Sequence, residues 1–283
     1  MATSKTVLIT GCSSGIGRAT AERLVRAGWS VYATARKPES LHPLQELGCR
    51  TLALDVNDEG SMKTAVETVE NEAGAVGVLI NNAGYSQSGA VESVPMDRIR
   101  KQFETNVFGL IRMCQLVLPG MRKQRSGRIV NVSSMGGKLT FPGGGIYHAT
   151  KYAVEAISDA LRFEVKGFGV DVILIEPGLI RTGFAQAVES GMQGIATDGP
   201  YGAFNAAVLK STKDVYEKGP LAKLGGGPGD VAAKIEKAIT AARPRARYTV
   251  TASATLLLTQ RALMSDAMWD KFLRGNFPQP GRT

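Results

Sequence analysis

Short apolar runs that alternate with helical patterns are the feature that most constrains the fold of this chain. The runs are rich in β-branched and aliphatic residues, and they predict strands at 6–10, 31–34, 51–54, 76–80, 129–132, 170–175 and 247–251. Between the runs, apolar residues recur at helical spacing, as in 18–27, 59–70, 96–122, 153–165 and 231–241. Strands and helices that alternate at this interval form parallel βαβ units. The chain is therefore predicted to be an α/β protein with a doubly wound parallel sheet flanked by helices.

A glycine-rich turn follows the first predicted strand. Gly11, Gly15 and Gly17 are spaced Gly-x-x-x-Gly-x-Gly, and a helical pattern begins directly after them. At a strand–turn–helix junction, glycines let the backbone approach a pyrophosphate, and the N-terminus of the helix faces its negative charge. Such a turn can also be purely structural. Its position after the first strand favours nucleotide binding over that alternative.

The second predicted strand is followed by basic residues. It ends at Thr34, and the next residues are Ala35, Arg36 and Lys37. In a dinucleotide-binding fold, an acidic residue at this position binds the adenosine ribose hydroxyls, whereas an arginine accommodates a 2′-phosphate. The simpler alternative is a basic surface loop. In combination with the glycine-rich turn, Arg36 predicts that the cofactor is NADP(H) rather than NAD(H).

Tyr147 and Lys151 are four residues apart at the start of a helical pattern, so they share one helix face. A free phenol has a pKa of about 10. An ammonium about 4 Å away favours the phenolate by about 4 kcal/mol at an effective dielectric of about 20, which brings a tyrosine towards the working range of a general acid/base. Ser134, in the Gly-rich loop before the helix, is placed to bind the same substrate oxygen. A Tyr-x-x-x-Lys pair alone, however, also occurs by chance on solvated helix faces.

Two further features fall at the ends of predicted elements. The run 81–84 reads Asn-Asn-Ala-Gly after the fourth strand, where it is either a plain turn or the support of an adenine-binding loop. Asn106 lies inside a long helical pattern, in which asparagine is unfavourable, so it has either a specific role or a surface position. Ligands of doubly wound sheets bind at the carboxyl ends of the strands. The marked turns lie at that edge, which favours a catalytic role for Tyr147 and Lys151.

Charge and cysteine content argue against several other classes of protein. The net charge is +9, but the basic residues are dispersed, and no stripe with interleaved aromatic residues indicates nucleic-acid binding. The three cysteines have no disulfide or metal-binding spacing, so we expect a reducing compartment and no metal. No apolar run approaches the roughly 20 residues of a membrane span. Because the first strand begins at about residue 6, no signal peptide is expected, and we expect a cytoplasmic protein.

Together these features resemble the short-chain dehydrogenase/reductase family over residues 5–185. The family's motifs occur in order at 10–17, 81–84, Asn106, Ser134, Tyr147 with Lys151, and 177–182. The resemblance implies a Rossmann-type fold. It also implies an NADP-dependent oxidoreductase (EC 1.1.1.-) that transfers a hydride between nicotinamide and a carbonyl or secondary alcohol.

The resemblance further implies a role for each residue of the site. Tyr147 protonates the carbonyl oxygen in reduction, Ser134 polarises that oxygen, and Lys151 lowers the pKa of the tyrosine and holds the nicotinamide ribose. Asn106 supports a water that relays protons to Lys151. Beside Tyr147 and Lys151, the implied cofactor contacts are Gly11, Ser13, Ser14, Gly15, Ile16, Gly17, Arg18, Arg36, Asp55, Val56, Asn82, Ala83, Gly84, Pro177, Gly178, Ile180 and Thr182.

Within the family, the chain is similar to the group of 17β-hydroxysteroid dehydrogenases, retinol dehydrogenases and acyl-dihydroxyacetone-phosphate reductases. It is predicted to form a single domain, with the cofactor and catalytic core at about 5–185 and a substrate-binding lid and C-terminal segment at about 185–283. The apolar and aromatic content of the lid favours a mainly apolar, steroid-, retinoid- or acyl-ketone-like substrate. Its predicted contacts are Phe141, Phe184, Ser134 and Tyr147.

The sequence leaves other points open. A non-catalytic NADP-binding sensor and a sugar-modifying dehydratase or epimerase are possible on the same fold, although the complete catalytic set argues against the first and the apolar lid against the second. Family members are commonly homodimers or homotetramers built through two long helices, here about 100–122 and 149–166. Residues 181–230 show no strong period, with a flexible joint predicted at 224–228 and Asp230 as a helix cap. His42 and His148 are not expected to take part in the mechanism.

Overall fold

Seven parallel strands form the sheet at the centre of the protein. The computed structural model describes residues 4–182, 184–195 and 198–281, except for the side chains of 184–187, 217, 219 and 220. The strands are β1 (Thr6–Ile9), β2 (Ser30–Ala35), β3 (Arg50–Ala53), β4 (Val78–Asn81), β5 (Gly127–Val132), β6 (Val170–Pro177) and β7 (Arg247–Val250). Their order is β3-β2-β1-β4-β5-β6-β7, and all neighbouring pairs are parallel. The predicted strands and the doubly wound α/β fold are thus confirmed.

Helices cover both faces of this sheet. The described α-helices are α1 (Gly15–Arg26), α2 (His42–Glu46), α3 (Glu59–Ala73), α4 (Met96–Phe103), α5 (Gly109–Lys123), α6 (Gly145–Val165), α7 (Phe184–Met192), α8 (Gly202–Glu217), α9 (Gly219–Lys223), α10 (Pro228–Thr240), α11 (Ala252–Leu263) and α12 (Asp266–Arg274). None of them combines the length and the apolar character that a membrane span requires.

The alternation of side chains along each strand produces two apolar cores, one on each face of the sheet. In β1, Val7 and Ile9 pack with Leu24 of α1 and Ile235 of α10. Leu8, between them, points to the other face, where it joins the buried side chains of α3, α5 and α6. Because both faces are covered, the strands are almost continuously apolar, as their sequences indicated.

The strand order reverses beside β1, whose neighbours are β2 and β4. In doubly wound sheets, the crevice beyond this point holds the ligand. The loops that follow the carboxyl ends of β1, β2, β4, β5 and β6 here line one cavity of about 1350 Å³. The edge of the sheet on which the sequence placed its marked turns is therefore the edge that carries the cavity.

The segment 181–230 is more regular than its sequence indicates, because it contains α7, α8 and α9. The predicted flexible joint at 224–228 is fixed by backbone hydrogen bonds: Gly226 N donates to Leu179 O, and Arg181 N donates to Gly226 O, each at 2.8 Å. Asp230 is the third residue of α10 and not its N-cap. Its Oδ2 accepts a hydrogen bond from the N–H of Gly227, the N-cap residue, at 2.7 Å.

Candidate active site

The glycine-rich turn joins β1 to α1 and forms one wall of the cavity. Gly11 and Gly15 have φ angles of 74° and 58°, which glycine adopts without steric cost. A Cβ atom on Gly17 would overlap Gly11 O and lie 2.5 Å from Asn82 Nδ2. The first turn of α1 contains no acidic residue, and its N-cap residue makes no side-chain cap hydrogen bond. This helix N-terminus is therefore suited to an anionic group such as a phosphate.

Asn82 ties the loop after β4 to the glycine-rich turn. Its Nδ2 donates to Thr10 O at 3.0 Å and to Gly11 O at 2.9 Å. The backbone N–H groups of Asn82 and Ala83 both donate to Thr10 Oγ1 at 3.0 Å. The run 81–84 thus supports the cavity wall that the glycine-rich turn forms, in addition to turning the chain.

Most of the predicted cofactor residues line this single cavity. They are Gly11, Ser13, Ser14, Gly15, Ile16, Arg36, Asp55, Val56, Asn82, Ala83, Gly84, Tyr147, Lys151, Pro177, Gly178, Ile180 and Thr182. Two others lie off the described part of the wall: Gly17 lies beneath the turn, and Arg18 pairs with Glu22 through Nε and Oε1 at 3.0 Å. The structure therefore brings Arg36, but not Arg18, to the cavity.

Arg36 is exposed directly after Ala35, the last residue of β2. Since alanine occupies this last position, no carboxylate from the end of β2 competes with an anion there. Tyr85, in the loop after β4, lies close enough to Arg36 for the charge of the guanidinium to act on its phenol. Burial raises the pKa of the Tyr85 phenol, and the positive charge of Arg36 acts in the opposite direction.

Tyr147 and Ser134 meet in the cavity wall. Tyr147 is in the first turn of α6, and Ser134 caps the short 3₁₀ turn 135–137, where its Oγ accepts a hydrogen bond from Gly136 N at 3.0 Å. A hydrogen bond also joins Ser134 to the phenol of Tyr147, and it lowers the pKa of that phenol. A hydrogen bond that the Ser134 hydroxyl donates would stabilise the phenolate in this way.

Burial raises the pKa of Tyr147 to about 12, more than the Ser134 hydrogen bond lowers it. The Tyr-x-x-x-Lys spacing predicts an ammonium about 4 Å from the phenol and a lowered phenol pKa. In the structure, Lys151 Nζ lies 5.8 Å from the centroid of the Tyr147 ring and donates to Val132 O at 2.8 Å. Burial lowers the pKa of Lys151 to about 8, and the nearby carboxyl of Glu155 acts against that effect.

Asn106 lies in a π-helical turn, Glu104–Phe108, that interrupts the long helix predicted at 96–122. Its Nδ2 donates to Tyr85 O at 2.9 Å and to Thr150 Oγ1 at 3.1 Å, and its Oδ1 accepts from Tyr85 N at 3.1 Å. The side chain is buried, so the surface explanation for this asparagine does not hold. Asn106 instead links the loop after β4 to α6 beside Lys151, and π turns are frequent at functional sites.

One part of the remaining cavity wall is apolar. Its side chains come largely from α8, α9, α11 and α12 and the residues that follow them: Val208, Val215, Tyr216, Leu221, Leu257, Phe272 and Phe277. Phe141 lies on this wall as predicted for a substrate contact, with its ring centroid 5.9 Å from that of Trp269. Phe184 begins α7, but its side chain lies outside the described part of the structure.

Tyr216 and His148 are among the polar residues of the cavity that were not identified as site residues from the sequence. Tyr216 lies near Tyr147. Burial raises the pKa of Tyr216, and the neighbouring phenol of Tyr147 raises it further. His148 Nδ1 lies 3.1 Å from Gly136 O, and a carbonyl only accepts, so Nδ1 carries the hydrogen. Burial lowers the pKa of His148 to about 4, which keeps the ring neutral near pH 7. His148 could have been identified from the sequence, because it directly follows Tyr147. Tyr216 could not, because it lies in a segment without a clear hydrophobic period.

The sequence profile of the family described as short chain dehydrogenase matches residues 5–193 of this chain. The chain belongs to the short-chain dehydrogenase family. A short-chain dehydrogenase from Streptomyces avermitilis has 35% identical residues and a TM-score of 0.78, with 97% of this chain and 99% of that chain covered. Membership confirms the resemblance seen in the sequence and makes the protein an oxidoreductase of this family.

Two curated relatives of this short-chain dehydrogenase are named by their reactions. The NADPH-dependent 3-dehydrocapnine reductase of Ornithobacterium rhinotracheale is 36% identical over 273 residues, which cover 93% of this chain and 94% of the relative. The 3-ketodihydrosphingosine reductase of Bacteroides thetaiotaomicron is 45% identical over 179 residues, or 63% of this chain and 65% of that relative. Both proteins are therefore named as reductases.

Proposed function

We propose that this short-chain dehydrogenase transfers a hydride between NADP(H) and a carbonyl or secondary alcohol of a mainly apolar substrate. The observation that carries the proposal is the hydrogen bond between Ser134 and Tyr147, beside buried Lys151, in the cavity that also contains the glycine-rich turn. A phenol, a hydroxyl and an ammonium around one substrate position are suited to acid/base work on a carbonyl oxygen.

In the direction of reduction, Tyr147 donates its phenolic proton to the carbonyl oxygen. Ser134 donates a hydrogen bond to the same oxygen and so stabilises the negative charge that develops there. The ammonium of Lys151 stabilises the phenolate that remains after proton transfer. Asn106 holds the loop after β4 against α6, beside the residues through which Tyr147 regains its proton. The nicotinamide, when bound, supplies the hydride.

The residues present fit NADP(H). The glycine-rich turn offers backbone N–H groups and the N-terminus of α1 to the pyrophosphate. Arg36, exposed on the cavity wall after the last residue of β2, offers a guanidinium to the 2′-phosphate. The name of one relative, the NADPH-dependent 3-dehydrocapnine reductase, agrees with this choice of cofactor.

The apolar wall supports an apolar substrate. Side chains such as Leu221, Leu257 and Phe272 give a carbon chain or ring system an apolar surface against which it can be buried. Phe141 and Tyr216 add aromatic rings to the cavity wall. A ketone flanked by a long apolar group is therefore the preferred substrate class, and 3-ketodihydrosphingosine, from the name of a relative, is a specific candidate.

The test is NADPH absorbance with a panel of ketones that includes steroid, retinoid, acyl-ketone and 3-ketodihydrosphingosine members. Wild-type protein should consume NADPH with at least one of them. Tyr147→Phe should lower the rate by about 10²–10⁴, as expected for loss of a general acid. NADPH binding, measured by fluorescence titration, should be nearly unchanged because the phenylalanine ring retains the packing of the tyrosine.

Three other results would contradict the proposal. Hydride transfer by Tyr147→Phe in a single turnover, within a few-fold of wild type, would remove Tyr147 from its role. Tight NADPH binding without turnover of any ketone or alcohol would indicate a cofactor sensor. Conversion of a nucleotide sugar without net consumption of NADPH would indicate a dehydratase or epimerase.

A further inference from the structure

A buried cluster of charged side chains lies behind the proposed catalytic residues. Glu155 is one helical turn after Lys151 on α6, and both side chains are less than a tenth exposed. A Cβ atom on Gly137, in the loop after β5, would lie 2.8 Å from Glu155 Cγ and 3.0 Å from Lys151 O. The absence of a side chain at Gly137 therefore lets Glu155 pack directly beneath the loop that carries Ser134.

Arg247, at the start of β7, holds the carboxylate of Glu155. Its Nε lies 3.0 Å from Glu155 Oε2 and 3.3 Å from Glu176 Oε1, and its Nη2 lies 2.7 Å from Asp159 Oδ2. These contacts join α6, β6 and β7. A buried carboxylate with an arginine partner of this geometry has a defined position, because the guanidinium and its other partners leave it little freedom.

Other charged groups face the cluster from the remaining elements around it. Lys138, in the loop after β5, pairs with Glu176 Oε1 at 3.2 Å, and Arg162 of α6 pairs with Asp159 Oδ1 at 2.5 Å. Burial raises the pKa of Glu155, and the nearby Glu176 adds to that effect, while the Ser133 hydroxyl and Arg247 act against it. Each of the other two acids thus has a second cation, Lys138 or Arg162, beside Arg247.

We propose that Glu155 is a positioning residue whose carboxylate, held by Arg247, keeps Lys151 charged and in place beside Tyr147. The inference rests on the proposed function of Tyr147 and Lys151. Lys151 is buried, so its ammonium needs a nearby negative charge to remain protonated at neutral pH. Glu155 supplies that charge through space, while the ammonium itself donates to Val132 O. The cluster therefore acts on the reaction without touching the substrate.

Removal of this charge should change how activity depends on pH. Burial already lowers the pKa of Lys151 to about 8. In Glu155→Gln the pKa should fall further, by about one unit, since an opposite charge nearby shifts a pKa by about 1–3 units. The alkaline limb of the kcat profile should move to lower pH by that amount. At a pH above both values, kcat should be about tenfold lower than wild type, with a much smaller difference near pH 6.

Two variants separate this effect from a general loss of structure. Asp159→Asn removes the other α6 carboxylate that binds Arg247. Because the Asp159 side chain is 44% exposed, this substitution should leave the pH profile of kcat unchanged. Glu155→Asp keeps the charge and withdraws it by one methylene, so its alkaline limb should lie between those of wild type and Glu155→Gln. Thermal unfolding of each variant shows whether it is folded.

Competitive labelling of lysine amines as a function of pH, followed by peptide mass spectrometry, reads the pKa of Lys151 in the free protein without any substrate. The labelling midpoint should fall in Glu155→Gln and stay at the wild-type value in Asp159→Asn. An active wild type whose kcat profile and labelling midpoint are both unchanged by Glu155→Gln would overturn the inference and leave the proposed function intact.

The converse result is also distinguishable. If wild-type protein reduces no ketone, the proposed function fails, and the labelling midpoint alone decides whether Glu155 controls the charge of Lys151. If Glu155→Gln does not fold, Glu155→Asp takes its place in the labelling experiment. A midpoint identical to that of wild type would then overturn the inference.

Discussion

At the scale of single residues, burial moves the pKa values of the two titrating groups in opposite directions. It raises the pKa of Tyr147 to about 12 and lowers that of Lys151 to about 8, because an apolar environment disfavours a phenolate and an ammonium alike. Near pH 7 both groups are therefore protonated. The proposed reduction requires this state, with a proton on the phenol and a positive charge beside it.

Arg36 is the residue on which the choice of cofactor should depend. A charge-assisted contact to a 2′-phosphate contributes about 1.5–3 kcal/mol, or roughly ten- to a hundredfold in affinity. Arg36→Ala should therefore reduce kcat/KM with NADP(H) by that factor and barely alter the value with NAD(H), which has no phosphate to lose. Kinetics with both cofactors on wild type and variant make the measurement.

Arg18→Ala is the matched control for this prediction. The two arginines lie near the same turn, but Arg18 is paired with Glu22 and is absent from the described cavity wall. Its replacement should leave the cofactor preference nearly unchanged. Equal losses with NADP(H) and NAD(H) in Arg36→Ala would mean that Arg36 is an ordinary surface residue.

The sequence identified residues whose signal is local and missed those whose role depends on distant contacts. Tyr147 and Lys151 could be paired from their spacing on one helix, and the glycine-rich turn from its position after a strand. Glu155 has no such signal, because its partner Arg247 is 92 residues away in the chain. The pKa of Tyr147 could not be predicted from the sequence either, because it depends on how deeply the phenol is buried.

At the scale of elements, the strands followed from local sequence and several helices did not. A short run of β-branched residues that is apolar on both faces strongly favours a buried strand over a helix or a loop. α8 contains Gly, Asn, Thr and Ser, and its buried residues Phe204 and Val208 pack against Ala90 in a small separate cluster away from the sheet. The π turn is fixed by Asn106 bonding across to Tyr85, which no local pattern reveals.

The elements α7–α9 form the proposed lid, and the described contacts between this segment and the core include three hydrogen bonds. Gln87 Nε2 donates to Gly191 O at 2.6 Å, Arg98 Nη1 to Gln193 O at 2.7 Å, and Ala90 N to Asn205 Oδ1 at 3.0 Å. An element outside the central sheet opens at lower free energy than a strand in the middle of it.

Hydrogen exchange should therefore be fast in α7–α9 of the free protein. Addition of NADP(H) with a bound ketone or alcohol should slow it, because ligand in the cavity contacts side chains such as Val208 and Leu221. Peptides from β4 and β5, which are central in the sheet, serve as the internal control and should be protected in both states. Equal protection of α7–α9 with and without ligands would contradict the existence of a lid.

At the scale of the whole molecule, the described structure leaves large apolar side chains on the surface of a chain that otherwise buries them on both sides of the sheet. Tyr152 and Phe163 of α6 are 43% and 89% exposed. They are eleven residues, or about three turns, apart, so they lie on one face of that helix. Phe108, just before α5, is 53% exposed. The two long helices expected to form a subunit interface are thus the helices that present these rings.

We expect the protein to be a homodimer or homotetramer in solution, and Phe163→Glu to shift it towards a smaller species, because a carboxylate cannot be buried where a phenyl ring would be. Light scattering after size-exclusion chromatography at micromolar concentration gives the mass directly. Leu263→Glu is the matched control, since Leu263 of α11 is 79% exposed but lies on neither helix. A monomeric wild type would contradict the assembly itself. Dissociation by Leu263→Glu with no effect of Phe163→Glu would place the interface on the C-terminal helices instead.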